Sequence, residues 1–146
     1  MAYSTATDLA NYIPSEQIRQ LTDDNDTDEI DQDKLNDCIR RADDLIDSYL
    51  RGRYTVPLTT VPALIRDIST KLASYFLFKR SLILTLPEPI ADDYKYCNEN
   101  LGKIQRGVIT PFPSSEEPAF FGNNKLPGQG SSVVNEVTNN WGNYLV

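Results

Sequence analysis

The stretch KLNDCIRRADDLIDSYLRGRYTVPL, residues 34–58, decides how this chain folds. Apolar side chains recur at Leu35, Cys38, Ile39, Ala42, Leu45, Ile46, Tyr49 and Leu50, steps of three and four that draw one stripe along a helix. Such a stripe has to be covered by other elements. Immediately after it, Gly52 reads as a helix C-terminal glycine, and Pro57 cannot continue a helix. The chain therefore turns a corner that carries Arg51, Arg53 and Tyr54.

The rest of the chain supplies the cover. Upstream, Thr5 or Thr7 caps a short helix with Leu9, Tyr12 and Ile13 on its apolar face. Pro14 breaks it, and a second short helix restarts with a cap at Ser15 and buries Ile18 and Leu21. The main helix is expected from about Gln32 to Arg51, with Asp37–Arg41 and Arg40–Asp44 pairs on its wet face. Downstream, a helix from about Pro62 to Leu84 carries Leu64, Ile65, Ile68, Leu72, Tyr75, Phe76 and Leu82. Its run Phe76-Leu77-Phe78 calls for neighbours on more than one side, supplied by this chain's core or by another subunit. After a break at Leu86-Pro87-Glu88-Pro89, Ile90, Tyr94, Cys97, Leu101 and Ile104 repeat at helical spacing up to about Gly107.

These patterns predict an all-α fold: a small bundle of about three longer helices plus short N-terminal helices, with residues 1–110 as the helical domain. Residues 111–146 are rich in Pro, Gly, Ser and Asn and read as an extended C-terminal arm. The arm nevertheless contains Phe112, Phe120, Phe121, Trp141 and Tyr144, and large apolar groups at that density imply contact with a partner.

One tract invites a metal. An EF-hand frame begun at Asp23 places oxygen ligands at Asp23, Asn25, Thr27 and Asp31. Its sixth position is Asp28 instead of glycine and its twelfth is Lys34 instead of glutamate, so the frame fails where the turn and the bidentate ligand belong. The competing reading makes Asp31 a helix N-cap, with Ile30 and Leu35 as a hydrophobic staple. We prefer that reading, with no metal.

Composition narrows function further. The chain has 146 residues, enough for one domain burying roughly 68–70% of its unfolded surface. It contains no histidine, which removes the commonest general base and metal ligand. No phosphate-binding glycine loop or nucleophile elbow is present, and Asp43–Asp44 and Asp92–Asp93 read as exposed helix faces. No enzyme and no cofactor are expected. Cys38 and Cys97 lie on apolar faces and read as buried, reduced thiols. Neither a signal peptide nor a bilayer-spanning run is expected, so the reading is of a soluble protein.

Net charge is −7, unevenly spread. Residues 1–50 carry thirteen acids against four bases, whereas residues 51–80 carry six bases and one acid. That segregation is first what an ordinary solvated surface carries, and it also suits electrostatic docking onto another copy or a partner; wrapping of nucleic acid is not expected.

Several separated pieces are similar to one family. Tyr3 with Thr5 to Leu9, Leu21-Thr22-Asp23, Ile30-Asp31, Ile46-Asp47-Ser48-Tyr49-Leu50 with Arg53-Tyr54 and Pro57-Leu58, Val61-Pro62-Ala63-Leu64, Leu101 and Gly107 occur in order. Over about residues 1–110 the chain resembles the Mu-like phage head–tail joining proteins. The resemblance implies a virion structural protein made in the host cytoplasm and located at the neck. There it would form a homo-oligomeric ring of about twelve copies between the portal protein and a stopper or tail-terminator protein. DNA would pass the lumen without sequence-specific binding. Arg51, Arg53, Tyr54, Phe120, Phe121, Trp141 and Tyr144 are the subunit- or partner-contact candidates. A tail-completion protein is the neighbouring alternative, and a small regulatory or calcium-responsive helical binding module the more distant one.

Overall fold

Asp31 begins the longest helix, accepting hydrogen bonds from the backbone amides of Asp33 (3.1 Å) and Lys34 (3.2 Å). Its carboxylate thereby satisfies two amides that have no partner inside the helix. Ile30, just outside the cap, packs against the core that Leu35 joins, as a staple requires. In this computed structural model, which describes residues 1–81 and 85–113, the described residues form five helices and no strand. They are α1 (Ala6–Tyr12), α2 (Ser15–Thr22), α3 (Gln32–Leu50), α4 (Ala63–Arg80) and α5 (Glu88–Gln105). The fold is all-α, as the periodicity requires.

The short helices follow their local signals. Thr5 and Asp8 form a reciprocal capping box, each bonding the other's backbone amide (3.2 and 2.8 Å). Leu9 and Ile13 are buried, but Tyr12 is exposed and donates its hydroxyl to Asp93 on α5. At α2 the cap position is Pro14, with no side-chain bond, and Ser15 is the first helical residue rather than the cap.

The hub is α4, which packs on each of the other four helices. This explains the buried Leu77 and Phe78 without a second subunit. The described helix ends at Arg80 with Ser81 as its cap, and Leu82 and Leu84, expected on it, lie outside the described residues. Phe76 is half-buried, with the Arg41 guanidinium 5.9 Å from its ring centroid. Arg41 therefore does not serve the expected pair with Asp37, which instead meets Arg40 at 2.8 Å. Pro89 lies inside the first turn of α5, where a missing N–H costs no hydrogen bond. Cys97, Leu101 and Ile104 close the triangle between α3, α4 and α5. Both cysteines are free and buried, and burial pushes the Cys97 thiol up to about 12, far from nucleophilic.

One reading needs correction. Asp43, expected on an exposed face, is buried. Its Oδ1 accepts from the Ser69 hydroxyl of α4 (2.7 Å) and its Oδ2 from the backbone amide of Tyr3 (3.0 Å). Ser69 gives its single hydroxyl hydrogen to Asp43, so Ser4 is the donor in the 2.8 Å Ser4–Ser69 bond. The Tyr3 hydroxyl donates to Asp47 and accepts from the Leu58 amide (2.9 Å). A polar clamp thus fixes the N-terminal strap, residues 1–5, to α3, α4 and the corner after α3.

Burial pushes the Asp43 carboxyl above its usual range, the bonds from Ser69 and Tyr3 pull it partway back, and neighbouring Asp47 adds to the rise. A carboxyl with a raised folded-state pKa binds its proton more tightly when folded. Its contribution is therefore full below the ordinary value of 3.8 and lost as pH rises through the folded value. Asp43→Asn, which can keep both partners, is expected to remove that falling limb in urea unfolding measured from about pH 3 to 7. Asp43→Leu is expected to cost about 2–4 kcal/mol near pH 3, because it strands the Tyr3 amide and loosens Ser69, and less near pH 7, where the parent chain has lost the carboxyl's contribution.

Candidate functional site

The corner after α3 is built from both ends of the helical unit. Arg51 caps α3 in a helical conformation, and the amides of Arg53 and Tyr54 both bond the Leu50 carbonyl at 2.9 Å. Gly52, read as a helix C-terminal glycine, does not take the left-handed conformation. Among the described residues that role belongs to Gly107, at φ 74°, which ends α5. A Cβ at Gly52 would meet nothing within 4 Å, whereas at Gly107 it would lie 2.5–2.6 Å from the Arg53 guanidinium. Arg53 therefore lies across the end of α5; φ favours glycine there, while the guanidinium, the far end of a flexible side chain, could move aside for a Cβ.

Tyr54, a contact candidate on sequence grounds, is only 1% exposed. Its ring packs on Phe112 with centroids 5.4 Å apart, and its hydroxyl lies 3.5 Å from that of Thr110. Tyr54 thus belongs to the subunit's own core, because α5 returns to cover the corner. Phe112 is buried too. Arg51 is exposed and Arg53 half-buried. Phe120, Phe121, Trp141 and Tyr144 lie outside the described residues.

The acidic loop is organised by its own carboxylates. Asp23 Oδ1 accepts from the Thr27 amide (2.9 Å), the Thr27 hydroxyl (3.1 Å) and the Asn25 amide (3.3 Å), and Oδ2 accepts from the Asp28 amide (2.7 Å). These bonds hold the Asp23 carboxyl below its usual range. Of the four EF-hand positions, Asp23 turns inward to the loop's amides, Asn25 and Thr27 donate to it, and Asp31 caps α3. Among the described residues no group of three or more acidic, cysteine or histidine side chains is arranged to hold a metal ion. Asp26 and Asp28 reach positive φ, 54° and 65°, without glycine. Asp24 ties the loop to the bundle: Arg80 of α4 (2.7 Å) and Lys34 of α3 (2.9 Å) both reach it and hold its carboxyl well below the usual range.

An open groove of about 660 Å³ lies between the N-terminal strap and α3. Met1, Ala2, Ile39 and Pro57 supply its apolar lining, and Asp44 and Asp47 stand on its α3 side. Sequence reasoning missed this groove, because the strap that forms it is placed by partners 40 to 65 residues away. No described helix is long and apolar enough to cross a membrane.

The family model described as Bacteriophage Mu, Gp36 matches residues 3–123, and the chain belongs to that family. It is also similar to the Mu-like prophage FluMu protein gp36 of Haemophilus influenzae, with 35% identity over 81 residues. That alignment covers 56% of this chain and 55% of the relative, so the chain spans about half the length of the relative it matches.

Two outcomes follow from the geometry. Gly107→Ala should destabilise the fold by about 1–2 kcal/mol through left-handed strain, whereas Gly52→Ala should be neutral or stabilising by up to about 1 kcal/mol; thermal unfolding of the pair separates the two glycines. Asp24 has a depressed folded-state pKa, so its contribution is present above its ordinary value of 3.8 and is lost as pH falls through the folded value. The acid limb of the stability profile should therefore be shallower in Asp24→Asn than in the parent chain.

Proposed function

We propose that this chain is a head–tail connector adaptor of the virion, a non-enzymatic structural subunit that forms a ring between the portal protein and the tail or a stopper. Membership of the Mu Gp36 family over residues 3–123 carries the reading. The architecture supports it. The helical unit has its own core, and its most distinctive polar groups, Tyr3, Asp43, Asp47 and Asp23, are engaged in holding the fold.

In such a ring of about twelve copies, DNA passes a lumen lined by acid-rich subunits. Like charge keeps phosphates from adhering, so the genome slides without sequence-specific contact. Arg51 stays a contact candidate because its charge is exposed, while Arg53 acts first within the subunit, against Gly107. The reading requires no cofactor and no metal.

The test is position in the particle. Averaged electron-microscopy images of particles carrying a tagged chain should show ring density at the neck, between capsid and tail. Density at the far end of the tail would make it a tail-completion protein, and absence from purified particles would overturn a virion role.

A further inference from the structure

The end of α5 presents an apolar side chain on a rigid turn. The Gly107 amide bonds the Ile104 carbonyl (3.0 Å) and the Val108 amide bonds the Lys103 carbonyl (2.8 Å), the paired bonds of a Schellman motif. In that motif the residue after the glycine ordinarily packs back on the residue whose carbonyl it bonds. Here that residue is Lys103, and Val108 remains 64% exposed. The turn is also strongly basic. Residues 48–54 and 101–110, which meet at this end of the bundle, contain Arg51, Arg53, Lys103 and Arg106 and no acid.

The groove beside the N-terminal strap has the complementary character. Its lining is apolar at Ala2, Ile39 and Pro57, and Asp44 and Asp47 supply negative charge along one side. Arg40, also on its rim, is drawn away to Asp37 (2.8 Å). An apolar knob ringed by bases and an apolar groove edged by acids are therefore two surfaces of the same chain.

We infer that the Val108 turn of one copy seats in the strap–α3 groove of the next copy, with Arg106 and Arg51 facing Asp44 and Asp47. A second copy is the occupant because both halves of the match are carried by one sequence. The two surfaces differ, so the contact is head-to-tail and propagates in one direction, closing into a ring where the rotation allows. This rests on the proposed ring and names the contact that builds it. A single turn in a groove is small beside the roughly 1,200–2,000 Å² of a stable interface. Isolated copies should associate weakly, and a closed ring, in which each copy uses both surfaces, gains by multivalency.

Ala2→Cys combined with Val108→Cys in the full-length chain, assembled into particles and oxidised, should give a ladder of disulfide-linked multimers on non-reducing gels. Neither single variant should give it. Arg106→Glu and Asp44→Arg should each lower incorporation into particles by about tenfold, and the two together should restore it. Circular dichroism should show every one of these variants folded, since the four substituted positions are exposed. Multimers trapped by an amine-reactive cross-linker without any 2–108 disulfide would overturn this contact and leave the ring standing. A disulfide from position 108 to a different protein would overturn it in favour of that partner. Particles in which no cross-linker joins two copies would overturn the ring and this contact together.

Discussion

A carboxylate removed from water must be met by donors, and Asp43 meets that demand with groups from two other parts of the chain. The Tyr3 amide and the Ser69 hydroxyl come from the strap and from α4, while Asp43 itself sits on α3. Three segments are therefore located relative to one another by one side chain. Tyr3 extends the effect: its hydroxyl bridges Asp47 and the Leu58 amide, so the corner after α3 is fixed by the same strap. Hydrophobic burial supplies most of the driving force for packing these helices, but it is non-directional. The polar clamp gives the packing a register.

The helices themselves were readable because their apolar spacing is regular. Leu35, Ile39, Ala42, Ile46 and Leu50 are buried on α3, as are Cys97, Leu101 and Ile104 on α5. Capping by Thr5 and Asp31 was equally local and equally legible. What was not legible depends on partners distant in sequence. Asp43 next to Asp44 looks like a wet face until Tyr3 and Ser69 are placed against it. Gly52 occupies the expected position for a helix-ending glycine, but the chain turns there with ordinary φ, and the left-handed residue is Gly107 at the other long helix end. Tyr54 reads as an exposed corner aromatic and is covered by Phe112, which composition alone assigned to the arm. The groove belongs to the same group, since one of its walls is the strap.

The residues that carry the family resemblance gain a physical meaning. Tyr3, Asp47 and Leu58 are joined in one clamp, and Arg53 and Gly107 meet at one helix end. These are interactions within a subunit, which define its shape. Contacts between subunits, on the reading proposed above, fall instead on residues that the fold leaves outside, such as Arg51, Arg106 and Val108. A charge on that surface has water as its alternative partner, so its gain on assembly is modest and sensitive to salt.

The strap also bears on how the chain folds during synthesis. It precedes every residue that holds it: Asp43 and Asp47 lie 40 and 44 residues later, Leu58 55 later and Ser69 65 later. At roughly 5–20 residues per second the strap waits several seconds for α4 to be made. Until then α3 exposes the stripe that α4 will cover, and Asp43 is free to remain hydrated. Docking of the strap is thus a late event, coupled to the arrival of α4, and a nascent chain halted before Ser69 has no complete site in which to fasten it.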